Sequence, residues 1–181
     1  MTKLKLMVAL LLAIVMPARA ALDVGARAPD FTLQASLGGE VFTFSLAEAL
    51  AAGPVVLYFY PAAFTPGCTI EAHQFAEATD EFKALGATII GVSGDDIDTL
   101  NRFSVSECRG KFAVAADADR SVMKAYRAVL ADRPQYANRT SYVIAPDGTI
   151  LMSYTDLKPH EHVQRTMDAV KRWRKETLPG A

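Results

Sequence analysis

The sequence predicts an α/β domain in which helices flank a central mixed β-sheet. Two continuous apolar runs rich in β-formers, "PVVLYFY" (54–60) and "ATIIGVS" (87–93), have the character of buried central strands. Helical periodicity follows each run, and "RTSYVIAPDGTILMSY" (139–154) has the pattern of a hairpin around Pro146-Asp147-Gly148. Strands that alternate with helices, followed by a hairpin and a last helix, are typical of a layered α/β fold.

The first twenty residues differ from the rest and have the pattern of a secretory signal peptide. Lys3 and Lys5 give a positive start, an apolar run covers 6–16, and Ala18-Arg19-Ala20 has the small-x-small form of a cleavage site. We expect cleavage after residue 20, so the mature domain is predicted to be 21–181. An exported, periplasmic location is predicted with it. The alternative is an uncleaved anchor, but the run is short for a membrane span, and no later segment approaches about 18 apolar residues.

Composition and charge limit the classes of function. The chain has 181 residues, of which 51% are hydrophobic and 22% are charged, which suits one globular domain with a sizeable core. Without residues 1–20 it would keep 16 basic residues against 20 acidic ones, a formal charge of −4. A mildly acidic domain argues against nucleic acid as a partner. The basic cluster at 171–175 is interpreted as a solvated helix end, where cations favour the negative end of the helix dipole.

The first half of the mature region divides into short elements. Residues 21–34 are predicted to be an extended segment, and "GGEVFTFSLAEAL" (38–50) a turn, a short strand and a short helix. After the strand at 54–60, a helix begins where Thr65 can act as the N-cap and Pro66 fits the first helical position. Apolar positions at helical spacing mark the inward face of this helix: Cys68, Ala72, Phe75, Thr79 and Phe82.

The second half continues the alternation of strands and helices. Asp95 and Asp96 open a helix, Cys108 lies at or just past its end, and "KFAVAAD" (111–117) is a third strand. A short helix around residues 122–126 and a final amphipathic helix complete the domain. The final helix has Val163, Met167 and Val170 on its inward face. The mixed sheet, with a cysteine at a helix start directly after a buried strand, predicts a thioredoxin-like fold.

The position of Cys68 suits thiol chemistry. A thiolate is the reactive form of cysteine, and the first turn of a helix stabilises it through unpaired N–H groups and the positive end of the dipole. Gly67 leaves the backbone open to close approach, the Thr65 hydroxyl can donate or accept, and Pro61 can shield the pocket from water. A peroxide fits such a site. Arg139 is available to hold the thiolate and donate to the substrate.

The stretch "YFYPAAFTPGCTIEA" (58–72) resembles the active-site signature of peroxiredoxins, most closely the PrxQ or bacterioferritin comigratory protein subfamily. The resemblance continues through "GARAPDFTL", "GVSGDD" and "RTSYVIAPDGTI". It implies that Cys68 is the peroxidatic cysteine, that Pro61 and Thr65 complete its loop, and that Arg139 is the active-site arginine. It also implies that Gly67 and Glu71 belong to the substrate-binding part of the active site, where Glu71 orients Arg139.

One departure from the family pattern concerns the second cysteine. Many PrxQ proteins carry a resolving cysteine five residues after the peroxidatic one, where this chain has His73. Other members place it on the following helix, in the region of Cys108. The resemblance therefore implies an intramolecular Cys68–Cys108 disulfide that an external thiol donor reduces. Disulfide formation is expected to require unwinding around 65–72 and 104–110. The charged neighbours of Cys108 suggest an accessible segment, and a passive thiol or a permanent structural disulfide is the alternative.

Three rival functions have weaker support. A thioredoxin-type thiol–disulfide oxidoreductase normally has Cys-x-x-Cys, but the third residue after Cys68 is Glu71. A metal-binding module would need more ligands than Cys68 and His73, and His160 and His162 are poorly spaced for one helical site. A non-catalytic binding domain would not consume peroxide. We therefore predict a thiol peroxidase without cofactor or metal, monomeric, whose partners are a hydroperoxide and a thiol–disulfide reductant protein.

Overall fold

A seven-stranded mixed sheet runs through the computed structural model, which describes residues 21–177. The predicted signal peptide at 1–20 lies outside the described residues. The strands are β1 (Thr32–Leu37), β2 (Glu40–Ser45), β3 (Val55–Phe59), β4 (Thr88–Ser93), β5 (Ala113–Ala116), β6 (Thr140–Ile144) and β7 (Ile150–Thr155). Their order is β2-β1-β5-β4-β3-β6-β7. β3, β4 and β5 are parallel, and the remaining neighbours pair antiparallel.

Helices cover both faces of the sheet, so the predicted fold class is confirmed. They are α1 (Leu46–Ala52), α2 (Pro66–Ala84), α3 (Ile97–Ser106), α4 (Ser121–Ala125) and α5 (His162–Thr177). Alternate side chains of the central strand β3 point to opposite faces. Val55, Leu57 and Phe59 join the core under α1 and α4, whereas Val56 and Tyr58 join the core under α2, α3 and α5. None of the helices within 21–177 has the length and apolar character needed to cross a membrane.

Two predicted element boundaries needed correction. The segment 21–34 is not extended throughout, because the Ala26 N–H donates to the Asp23 carbonyl and closes a turn. β1 then begins at Thr32 and pairs with β2 across a turn at Gly38 and Gly39. Both glycines have positive φ values, 57° and 92°, which favour a tight hairpin turn. The third strand is shorter than 111–117, because the backbone N–H of Lys111 bonds the carbonyl of Cys108 and pairing with β4 begins only at Ala113.

The helix that carries Cys68 matches its prediction closely. Pro66 is at its start, and the five residues predicted for its inward face are all buried. α2 packs on the face of the sheet that also holds Cys108, so both cysteines belong to the same apolar core. The fold therefore brings the two thiols to one side of the sheet, under α2 and α3.

Candidate active site

The loop between β3 and α2 is anchored to the neighbouring strand. The backbone N–H of Ala63 donates to Asp95 Oδ2 at 2.8 Å, and Ser93 Oγ donates to the same oxygen at 2.8 Å. Phe64 has a left-handed backbone (φ 61°), which costs about 1 kcal/mol or more in a residue other than glycine. Its half-exposed ring packs edge-on against Phe103 of α3, 5.2 Å between centroids. The loop that precedes Cys68 is thus tied to β4 and to α3.

Thr65 is the N-cap residue of α2 by position but not by hydrogen bonding. Its hydroxyl donates back to the carbonyl of Ala62 at 2.9 Å and makes no side-chain cap bond to the helix. The predicted capping role is therefore wrong for the side chain, because the hydroxyl closes the loop instead. The Thr65 hydroxyl therefore leaves the N–H groups of the first turn, where Cys68 lies, without a side-chain cap.

Cys68 lies beside a buried arginine. Its side chain is 2% exposed, and Arg139 Nη2 donates to Sγ at 3.4 Å. Arg139 directly precedes β6, and only 3% of it is exposed. A Cβ on Gly67 would lie 3.1 Å from Arg139 Nη2, a contact tight enough that the guanidinium would have to shift by a few tenths of an ångström. The glycine therefore leaves room for the observed position of the arginine beside the thiol.

Two further partners fix the guanidinium. Arg139 Nε donates to the carbonyl of Leu157 at 2.9 Å, and Nη1 is in direct contact with Glu71 Oε2. Burial raises the pKa of Glu71, and the positive charge of Arg139 opposes that rise. Burial alone would lower the pKa of Arg139, but Glu71 and Cys68 more than reverse this effect. Because Glu71 has no exposed surface, it is placed to orient the arginine rather than to touch a substrate.

Cys108 lies one residue past the C-cap of α3, as predicted, but its thiol is not accessible. Its exposed fraction is 0%, although Arg109, Gly110 and Lys111 are exposed. The segment is accessible as its charged residues suggest, but the Cys108 side chain points into the core and is not. Burial raises the pKa of the Cys108 thiol far above its ordinary value, with a smaller contribution from Glu107. Both cysteines are free thiols in this structure.

Two tyrosines share the core with both cysteines. Tyr58 stacks on Phe75 at 4.4 Å between ring centroids, and Tyr60 stacks on Phe103 at 5.6 Å. Neither hydroxyl has a hydrogen-bond partner within the described part of the chain. Burial raises the pKa of both hydroxyls, and Cys108 and Cys68 add to the rise.

Three polar side-chain pairs connect one stripe of α2 to the segment that contains Cys108. His73 forms the shortest of these contacts, so the position where many relatives carry a resolving cysteine here holds a residue that contacts Glu107. The pairs are His73–Glu107 at 2.9 Å, Glu77–Arg109 at 3.3 Å and Asp80–Lys111 at 3.3 Å. Residues three or four positions apart face the same way on a helix, which aligns the three partners on α2. We call these pairs the α2–107/111 ladder.

The histidines do not assemble a metal site. His160 is exposed, whereas His162 is fully buried two residues later. Among residues 21–177, no group of three His, Cys, Asp or Glu side chains is arranged to hold a metal ion. No local sequence pattern indicates a role for His162, because its partners belong to β6, α2 and the loop after β7.

Comparison with known proteins agrees with this arrangement. The model of the AhpC/TSA family matches residues 24–153. A peroxiredoxin bcp of Helicobacter pylori strain J99 is 34% identical over 82% of this chain and 98% of its own length. The chloroplastic peroxiredoxin Q of Arabidopsis thaliana is 34% identical over 84% of this chain and 68% of its own length.

Solved structures show the same fold. Peroxidoxin BcpB of Mycobacterium tuberculosis superposes with a TM-score of 0.74 at 28% identity, covering 82% of this chain and 96% of its own. A PrxQ mutant of Xylella fastidiosa has a TM-score of 0.75 at 22% identity, covering 86% and 99%, and this likeness concerns the fold alone. Since the family model spans most of the chain and relatives above 30% identity match along most of its length, the chain belongs to the AhpC/TSA family and is a peroxiredoxin, a thiol peroxidase, similar to bcp and peroxiredoxin Q.

Proposed function

We propose that this peroxiredoxin reduces hydrogen peroxide and organic hydroperoxides with Cys68 as its peroxidatic cysteine. The Cys68 thiolate attacks one peroxide oxygen, the O–O bond breaks, and the other oxygen leaves as water or an alcohol after taking up a proton. Cys68 becomes a sulfenic acid. The observation that supports this role most directly is the 3.4 Å contact between Arg139 Nη2 and Cys68 Sγ at the first turn of α2.

The surrounding groups have separate roles in this proposal. Arg139 stabilises the thiolate and donates to the peroxide oxygens, and Gly67 allows its approach. Pro61 and Thr65 shape the loop, and the Thr65 hydroxyl donates to the Ala62 carbonyl. Glu71 does not contact the substrate but orients Arg139, which does.

Cys108 is proposed as the resolving cysteine. Its thiolate attacks the Cys68 sulfur, the sulfenic oxygen leaves as water, and an intramolecular disulfide forms. Because both thiols are buried in the reduced form and Tyr58 and Tyr60 share their core, we expect the turns at 65–72 and 104–110 to open first. A dithiol protein then reduces the disulfide by exchange. With the predicted export, the reductant would be a periplasmic or membrane-linked donor, and the enzyme would act as a monomer.

Intact mass spectrometry tests this assignment. Wild type, Cys68→Ser and Cys108→Ser are reduced and each treated with one equivalent of hydrogen peroxide. Wild type should lose two hydrogens, Cys108→Ser should gain oxygen, and Cys68→Ser should stay unchanged. If Cys68→Ser consumes peroxide as fast as wild type, the peroxidatic assignment is wrong. If wild type gains oxygen as Cys108→Ser does, instead of losing two hydrogens, the resolving assignment is wrong.

A further inference from the structure

A fully buried histidine, His162, lies behind the Glu71–Arg139 pair at the first residue of α5. Its Nε2 is 2.8 Å from the backbone carbonyl oxygen of Asp156, and its Nδ1 is 2.8 Å from Ser141 Oγ. A carbonyl oxygen can only accept, so Nε2 must carry the proton. In the neutral ring Nδ1 is then an acceptor, and the Ser141 hydroxyl donates to it. The two partners thus fix both the orientation and the tautomer of the imidazole.

The same Nδ1 faces the carboxylate of Glu71. Glu71 Oε2 contacts Arg139, whereas Oε1 is buried and has no hydrogen-bond partner in the described part of the chain. Oε1 lies 3.7 Å from His162 Nδ1. Oε1 and the unprotonated Nδ1 both accept, so no hydrogen bond joins them, and the ring limits the carboxylate by contact. The bonds to Ser141 and Asp156 hold the ring in place for that contact. The carboxylate is therefore confined between a guanidinium on one side and an imidazole on the other.

Burying a histidine costs free energy unless its ring nitrogens have hydrogen-bond partners. Burial lowers the pKa of His162 to about 4, which keeps the ring neutral near pH 7. The ring of Tyr154 covers it, 4.8 Å between centroids. An apolar side chain would fill the same space without this cost. The contacts to Ser141, Asp156 and Glu71 are what a histidine adds.

We propose that His162 is a positioning residue for the peroxidatic site. It confines the Glu71 carboxylate from the side opposite Arg139, and Glu71 in turn holds the guanidinium against Cys68. His162 touches neither the thiol nor the substrate, so it acts only through Glu71. This inference rests on the proposed function, because it concerns the rate at which Cys68 reacts with peroxide.

The test is a double-mutant cycle on the second-order rate constant for oxidation of Cys68 by hydrogen peroxide. The variants are His162→Leu, Glu71→Gln and their combination, with His160→Leu as a matched control at an exposed histidine. Small displacements of a positioned group can lower a rate by up to about a hundredfold. We expect His162→Leu to be roughly tenfold slower than wild type and His160→Leu to be unchanged. In the Glu71→Gln background, His162→Leu should cause no further loss.

A conservative variant separates positioning from packing. In His162→Asn, the amide lies in place of Nδ1 and can pair with Ser141, which keeps the side chain fixed beside Glu71 Oε1. It should therefore recover a large part of the rate lost in His162→Leu. If His162→Leu does not unfold cooperatively, the same cycle is run with His162→Phe, which keeps a ring without nitrogens, and Glu71→Gln. Losses that multiply in the double variant, or a wild-type rate in His162→Leu, would overturn the inference. A wild type that does not react at all would instead refute the proposed function.

Discussion

Replacing Arg139 by leucine should damage stability and reactivity by two mechanisms that can be separated. Arg139 is 3% exposed, and its partner Glu71 has no exposed surface. Removing one member of a buried ion pair leaves the other charge without compensation, which costs about 3–5 kcal/mol. For a domain of this size, about 2–4 °C of melting temperature corresponds to each kcal/mol, so we expect Arg139→Leu to melt roughly 6–20 °C lower.

The loss of reactivity has a different origin. Arg139 Nη2 donates to Cys68 Sγ, and a hydrogen bond to a charged group contributes about 1.5–3 kcal/mol. At 1.36 kcal/mol for each factor of ten, its loss should slow the oxidation of Cys68 about 10- to 150-fold.

The double variant Arg139→Leu/Glu71→Leu separates the two effects. Replacing both members of a buried pair with apolar residues is often neutral for stability, so the double variant should regain at least about 2 kcal/mol relative to Arg139→Leu. Its peroxide rate should stay low because no donor faces the sulfur. Urea unfolding followed by circular dichroism gives the first quantity, and stopped-flow mixing with peroxide gives the second. Recovery of the rate in the double variant would refute the role of Arg139 at Cys68.

Three further outcomes are expected. The buried hydroxyl of Tyr58 has no hydrogen-bond partner among residues 21–177, so Tyr58→Phe should leave the free energy of unfolding unchanged or raise it by up to about 1 kcal/mol. Tyr142→Phe should lower it by about 1 kcal/mol, because it removes a 2.6 Å bond from the hydroxyl to the Tyr126 carbonyl. Equal losses for the two variants in urea unfolding would contradict this. Glu77→Gln removes one ion pair of the α2–107/111 ladder and should raise the rate of disulfide formation about two- to fivefold at low salt but not at high salt. Quench-flow trapping at two ionic strengths would show the effect, and an unchanged rate at low salt would count against the ladder. The pKa of His162 is about 4 in the native state, below its ordinary value of 6.5, so between these values the unfolded chain binds the proton that the native chain does not. The free energy of unfolding should therefore fall as pH drops from 6.5 to 4, by roughly 3 kcal/mol from this group, and the fall should be shallower in His162→Asn.

The fold could be predicted because its determinants are local in the sequence. The apolar runs at 54–60 and 87–93 became β3 and β4, and the five residues predicted for the inward face of α2 are buried. The helix begins at Pro66, whose fixed φ suits the first helical position. The β1 strand was missed as a separate element although its hairpin with β2 is local, because residues 32–34 were assigned to the entry segment and the turn at 38–39 was predicted without a strand before it. Its pairing with β5 joins distant segments and could not be predicted from local pattern.

The site was predictable to a smaller extent. The position of Cys68 follows from Thr-Pro-Gly before it, and the importance of Arg139 came from the family resemblance rather than from any pattern around it. Two features depend on tertiary packing alone: the burial of Cys108 beneath charged neighbours, and the place of His162 behind Glu71. Side chains on one element cannot reveal which distant carboxylate or carbonyl will face them.

The peroxidatic assignment gives the reaction with peroxide to the arginine-bound Cys68 and not to Cys108. It is tested most directly in Cys108→Ser and Cys68→Ser, each mixed with one equivalent of hydrogen peroxide in the presence of dimedone, which traps sulfenic acids. Peptide mass mapping then locates the adduct. A dimedone adduct is expected on Cys68 in Cys108→Ser, and no adduct is expected on Cys108 in Cys68→Ser. An adduct on Cys108 in Cys68→Ser, or an unmodified Cys68 in Cys108→Ser, would contradict it.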